Sequence, residues 1–127
     1  AEVCHREQVS LLAYSPLGFG FLSAKYLDNP TAPGRVTQFS GFAQRYSKPN
    51  VGPAVQAYAA LAREHGLTPA QLALAWCYRR WCVASTIIGA TTMAQLEENL
   101  GAWNVALSAD VLAAIDAIHL RYTNPAP

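Results

Sequence analysis

The chain has 127 residues, of which 52% are hydrophobic and only 13% charged; nine Lys and Arg stand against eight Asp and Glu. Nearly every segment therefore carries apolar surface to bury, which excludes a disordered, solvating tail. With a net charge of +1 and no basic block, the chain has no electrostatic footprint for nucleic acid.

The opening residues, Ala1 to Gln8, read as the tail of a helix with no initiator Met and no signal-peptide pattern. A segment upstream is expected. Residues 9–14 form a short apolar run between Gln8 and Ser15-Pro16 and predict a buried parallel strand. Residues 28–53, rich in Pro, Gly, Asn, Ser and Thr, predict an extended loop long enough to suggest function. Pro53 suits the first turn of a helix running to about His65, which Gly66 ends. Thr68, Pro69 and Gln71 make a capping box that opens a second helix to about Trp81, apolar on most sides. A second strand follows at 85–88, β-branched and closed by Gly89. Thr92 and Gln95 repeat the capping-box spacing for a helix to about Trp103. Ser108 caps a last helix with Val111, Leu112, Ile115 and Ile118 in one stripe.

Strand, long helical crossover, strand, helix is α/β grammar. Two parallel strands cannot shield their faces and edges alone, so the unit is expected to be incomplete on its own. Cys4, Cys77 and Cys82 form no CxxC pair and are odd in number, which points to reduced, partly buried thiols in a cytosolic protein. No run of 18 apolar residues is present, so no membrane is expected as a partner, and the charge balance leaves no nucleic acid expected either. His5, His65 and His119 lie away from strand ends and read as surface or helix-end residues.

Two stretches carry chemistry. At the carboxyl end of the first strand, Tyr14-Ser15-Pro16-Leu17-Gly18-Phe19-Gly20 offers a ring face and a backbone able to approach a phosphate. An aromatic core residue followed by an ordinary turn would have the same pattern. After the second strand, Gly89-Ala90-Thr91-Thr92 opens a helix with free N–H groups and hydroxyls suited to an anion, and Gln95, Glu98 and Asn99 share one face of its first turns. Helix capping and surface solvation alone would account for these residues too.

Taken together, in order and in spacing, the two stretches resemble the cofactor loops of the aldo-keto reductase superfamily. Leu12 to Tyr26 resembles its seventh barrel strand and following loop, and Ile87 to Leu100 its eighth strand and the helix behind. The whole chain is most similar to the Tas-type bacterial reductases and the potassium-channel β-subunit branch. The resemblance implies that residues 1–127 are the C-terminal portion of a single (β/α)₈ TIM barrel, a fold that takes about 250 residues in full. It implies an NADPH-dependent oxidoreductase that reduces an aldehyde or ketone to an alcohol.

By the same resemblance, Tyr14 would stack under the nicotinamide. Ser15, Leu17 and Gly18 would follow the pyrophosphate, Lys25 would neutralise it, and Arg35 would contact the adenosine end. Gly89, Thr91 and Gln95 would form the 2′-phosphate loop, and Glu98 and Asn99 would bind the adenine. Many members carry Lys or Arg where this chain has Gly89 and Gln95, which leaves the preference for NADPH over NADH open. Arg45, Tyr46 and Arg121 receive no role. The family's proton-donating tyrosine, with its lysine, aspartate and histidine, lies on earlier strands, so no catalytic residue is assigned here. The isolated chain is expected to be inactive, and either to pair with the missing N-terminal part of the barrel or to self-associate. The alternative is a truncated, non-catalytic nucleotide-binding or interaction module that pairs with another chain.

Overall fold

A computed structural model describes residues 1–39, 41 and 44–126. The described helices of the main layer begin and end where local chemistry dictates. Helix α4 (Val51–Glu64) holds Pro53 in its first turn and stops before Gly66, whose φ of 68° is the left-handed value that favours glycine. Helix α5 (Pro69–Tyr78) opens on the complete capping box: Thr68 Oγ1 accepts from Gln71 N at 3.1 Å and Thr68 N donates to Gln71 Oε1 at 3.0 Å. Helix α7 (Ala109–Arg121) is capped by Ser108, whose hydroxyl accepts from Val111 N. Helix α6 (Met93–Gly101) starts behind Thr92 and runs into a tight turn at Ala102–Asn104.

Helices α4, α5 and α7 share the hydrophobic centre. Leu61, Ala62, Leu72, Val111 and Ile115 are buried against one another, with Tyr58, Trp76 and Ile118 packed round them. Of the expected α7 stripe, Leu112 turns outward at 38% exposure. Leu74 is fully buried, a burial that contributes about 2 kcal/mol.

The sheet consists of β1 (Leu11–Tyr14) and β2 (Val83–Ile87), paired in parallel with Tyr14 opposite Ile87. Both strands are shifted by one or two residues from their sequence-based bounds; Val9 and Ser10 fall outside β1 because Val9 N donates to Cys4 O, closing the end of α1 (Glu2–Arg6) rather than extending the ladder. Neither strand is buried. Leu11, Leu12, Tyr14 and Ile87 are 47%, 60%, 69% and 54% exposed. The apolar run correctly marks a strand that favours burial, but two strands give each other only one neighbour.

The stretch 28–53 contains short ordered pieces, α2 ending at Asp28 (Lys25–Asp28), α3 (Arg35–Gln38) and a turn at Gln44–Tyr46. Helix α5 ends at Tyr78, three residues short of Trp81, because Arg79 to Cys82 turn the chain into β2. The three cysteines are free and half-buried, as expected. Among the described residues, no single helix is long and apolar enough to cross a membrane.

Candidate functional site

Because β1 and β2 run parallel and in register at Tyr14 and Ile87, the chain leaves both strands at the same end of the sheet. The two loops singled out by sequence therefore start side by side.

The first loop is built on unusual backbone. Ser15, Gly18, Phe19, Gly20 and Ala24 all have positive φ, of 52°, 52°, 55°, 96° and 64°. Three of these are not glycine, and left-handed backbone costs each about 1–2 kcal/mol. The turns hold because Gly18 N donates to Ser15 O at 2.9 Å, Gly20 N to Leu17 O at 2.9 Å and Ala24 N to Phe21 O at 2.9 Å. Packing supplies the rest. The Tyr46 ring stacks on Phe21 with centroids 4.7 Å apart, meets Phe19 edge-on at 5.6 Å, and lies where a Cβ on Gly18 would touch it at 3.4 Å. Burial raises the Tyr46 hydroxyl pKa above its usual 10.0; the charge and hydrogen bond of Arg45 oppose this, and nearby Tyr14 adds to it. Tyr46, unassigned from sequence, is thus the residue that clamps the first loop. Its only sequence signal is a large aromatic inside a Gly-, Ser- and Pro-rich stretch.

Tyr14 itself projects from the strand end with its side chain largely exposed, leaving a face open for a planar group. Two cations lie beside the loop. Lys25 Nζ donates to Pro33 O at 3.3 Å and lies 4.8 Å from the Tyr26 ring centre. It crowds Gly34 so closely that a Cβ there would collide with both Lys25 and Tyr26. Arg35, the next residue, lies over the Phe19 ring at 5.4 Å. Gly34 thus lets Lys25 and Arg35 gather beside the first loop.

The second loop is held by its own helix. Asn99, the one buried polar side chain among the described residues, donates from Nδ2 to Gly89 O at 3.2 Å, and its backbone carbonyl accepts from Tyr78 Oη at 3.0 Å. Thr92 caps α6 by accepting from Gln95 N at 3.2 Å. The reciprocal half of the expected capping box differs: the Gln95 side chain reaches one residue further back, and its Oε1 accepts from Thr91 N at 2.9 Å and Thr91 Oγ1 at 3.1 Å. One amide oxygen thereby takes up both Thr91 donors, as an oxygen of a bound anion would. Glu98 is half-buried, and its Oε1 accepts from Thr68 Oγ1 at 2.6 Å, so the hydroxyl that caps α5 also ties it to α6.

The structure thus gathers Tyr14, Ser15, Leu17, Gly18, Lys25 and Arg35 around one loop and Gly89, Thr91, Gln95, Glu98 and Asn99 around the other. The strand ladder relates the two groups. In donors they suit a dinucleotide: an exposed ring, two cations, and an N–H and hydroxyl at a helix start. Asn99 is buried and acts on the site through Gly89.

The aldo/keto reductase family model matches residues 1–120. The chain belongs to the aldo/keto reductase family. It is 54% identical over 128 residues to Protein tas of Escherichia coli strain K12 and, equally, of Shigella flexneri, matching all of this chain and 37% of those proteins. An aldo-keto reductase of Babesia bovis is 33% identical over 131 residues, 98% of this chain and 46% of that protein. The chain thus spans little more than a third of the length of Protein tas.

Proposed function

We propose that this chain is the cofactor-holding part of an NADPH-dependent oxidoreductase that reduces an aldehyde or ketone to an alcohol. The observation that carries the reading is the pair of loops leaving adjacent parallel strands, with the open Tyr14 ring on one and the Thr91–Gln95 donor set on the other. When bound, the reduced nicotinamide supplies the hydride. Tyr14 offers the face on which that ring rests, which fixes the side presented to the substrate. Lys25 offsets the pyrophosphate charge, Arg35 contacts the adenosine end, and the left-handed turns at Ser15 and Gly18 bring backbone close to the pyrophosphate. Thr91 and Gln95 meet the 2′-phosphate; Glu98, and Asn99 through its hold on Gly89, shape the adenine end.

Reduction of a carbonyl develops negative charge on its oxygen, which a positioned proton donor must meet. We place that donor on a complementary part of the barrel that closes against β1 and β2, whose exposed apolar residues suit such a partner. Self-association of this chain is the competing way to cover the same strands.

The test is steady-state kinetics of the assembled enzyme with each cofactor. Gln95→Glu sets a carboxylate beside the 2′-phosphate and is expected to weaken NADPH use at least tenfold through like-charge repulsion while sparing NADH. Tyr14→Ala is expected to impair both cofactors, by on the order of 1–3 kcal/mol if base stacking on other aromatics is a guide. Equal losses for both cofactors with Gln95→Glu would remove Gln95 from the phosphate site.

A further inference from the structure

One hydroxyl, that of Thr68, serves two helices at once. Its Oγ1 accepts from Gln71 N at 3.1 Å, which caps α5, and donates to Glu98 Oε1 on α6 at 2.6 Å. We propose that Thr68 is a positioning residue for the cofactor: by holding Oε1 it presents the other carboxylate oxygen, Oε2, to the amino group of the adenine. The inference rests on the reading that Glu98 faces that base, and it adds a determinant of base specificity on a different helix.

The hydroxyl has little freedom to point elsewhere. Thr68 precedes Pro69, which disfavours helical backbone before it, and its φ of −75° and ψ of 153° are extended accordingly. Its branched side chain is stiff about χ1, and its backbone N–H donates to Gln71 Oε1 at 3.0 Å. A hydroxyl has one hydrogen and two acceptor sites. With an acceptor site filled by Gln71 N, the hydrogen is directed to Glu98, where a charged acceptor makes the bond short.

The backbone beneath Glu98 is fixed as well, because Asn99 beside it donates to Gly89 O and accepts from Tyr78 Oη. What remains is the Glu98 side chain, a long one whose ordering costs entropy that a ligand would otherwise have to offset. Thr68 orders it beforehand. The two oxygens of a carboxylate diverge, so with Oε1 turned to the start of α5, Oε2 faces away from it and accepts no hydrogen bond among the described residues.

Adenine offers an amino group with an acceptor nitrogen beside it; hypoxanthine reverses both, with a carbonyl oxygen and a ring N–H. A tethered carboxylate meets that carbonyl oxygen directly and repels it, whereas a free one can turn to the neighbouring N–H. Thr68 therefore governs discrimination between the bases, which capping alone would not.

The test is equilibrium binding to the assembled enzyme, followed by reduced-nicotinamide fluorescence, of NADPH and of its analogue with hypoxanthine in place of adenine. The unsubstituted enzyme is expected to prefer NADPH by roughly tenfold or more, the scale of one hydrogen bond to a charged group. Thr68→Gly keeps an accepted N-cap residue but removes the hydroxyl, and is expected to cut that preference to about threefold or less; Thr68→Ser restores it. If Thr68→Gly weakens both cofactors alike and leaves the preference whole, Thr68 is only a cap and the inference falls. Glu98→Ala then separates the two readings: loss of the preference in that variant keeps Glu98 at the adenine. A preference that survives Glu98→Ala, or is absent from the unsubstituted enzyme, overturns both.

Discussion

The two loops of the candidate site sit side by side yet are shaped by different means. The second is fixed by residues near it in sequence: Thr92 caps its own helix, Gln95 reaches back to Thr91, and Asn99 holds Gly89 ten residues before it. The first bends through five left-handed residues and is pressed into shape by Tyr46, more than twenty residues further along. One is held by short-range hydrogen bonds, the other by a remote ring pressing on strained backbone. Their failure modes should therefore differ.

The largest effect is expected from Tyr46→Ala. It removes the stack on Phe21 and the edge contact on Phe19, and should cost about 2–3 kcal/mol, somewhat below the value for a fully buried ring. Hydrogen exchange should show the amides of Gly18, Gly20 and Ala24 losing protection while α4, α5 and α7 keep theirs. If the second loop loosens equally, the two are not independently held. Asn99→Ala is expected to cost about 1 kcal/mol, because it removes the buried Asn99 amide and its hydrogen bond to the solvent-exposed Gly89 carbonyl. Here the loss should appear as a lower denaturant midpoint for the whole fold, since the buried Asn99 side chain belongs to a helix that packs on α5, while the bond from Tyr78 Oη to the Asn99 backbone carbonyl is kept. Thr68→Ala, which takes away the α5 cap and the Glu98 contact together, should cost about 1 kcal/mol. Adding Glu98→Gln to it should then change little; an additive further loss would mean that the pair does not act as a unit.

Alkali separates the regions by charge. Burial raises the Tyr46 hydroxyl above its usual 10.0. A group whose folded pKa is raised contributes stability that is fully present below the unfolded value and lost as pH rises through the folded one. Thermal melts should thus be flat for this group up to about pH 10 and fall beyond it. Tyr46→Phe should blunt that fall. Burial raises Tyr58, with Asp116 adding to it, and likewise raises Tyr78, so part of the alkaline loss should survive the substitution. An unchanged alkaline limb would show that Tyr46 does not contribute to it.

The same contrast explains what the sequence could and could not reveal. Helix ends were legible at Gly66, Thr68, Thr92 and Ser108 because capping is a transaction between neighbours. The parallel pairing of two apolar runs was legible from their separation by a helical crossover. What Tyr46 touches was not, because no local rule connects it to Gly18. Nor was the tie between Thr68 and Glu98, thirty residues apart. A local misreading, that of Gln95, turned on which of two adjacent N–H groups an amide would reach. The exposure of both strands followed from counting them and not from their composition: hydrophobicity records that a segment favours cover, and two strands cannot supply it to each other.

The parallel ladder also constrains the order in which the molecule assembles. Leu11–Tyr14 and Val83–Ile87 meet only after roughly 70 intervening residues have been brought round, and closing so long a loop must be compensated by contacts already made. Helices α4 and α5 are contiguous and can dock within that loop, holding its two ends close before either strand pairs. During synthesis the first loop emerges from the ribosome long before its strand has a partner. The sheet is then the last piece to zip, late and reversible, and its opening should be the lowest-energy breathing motion of the chain.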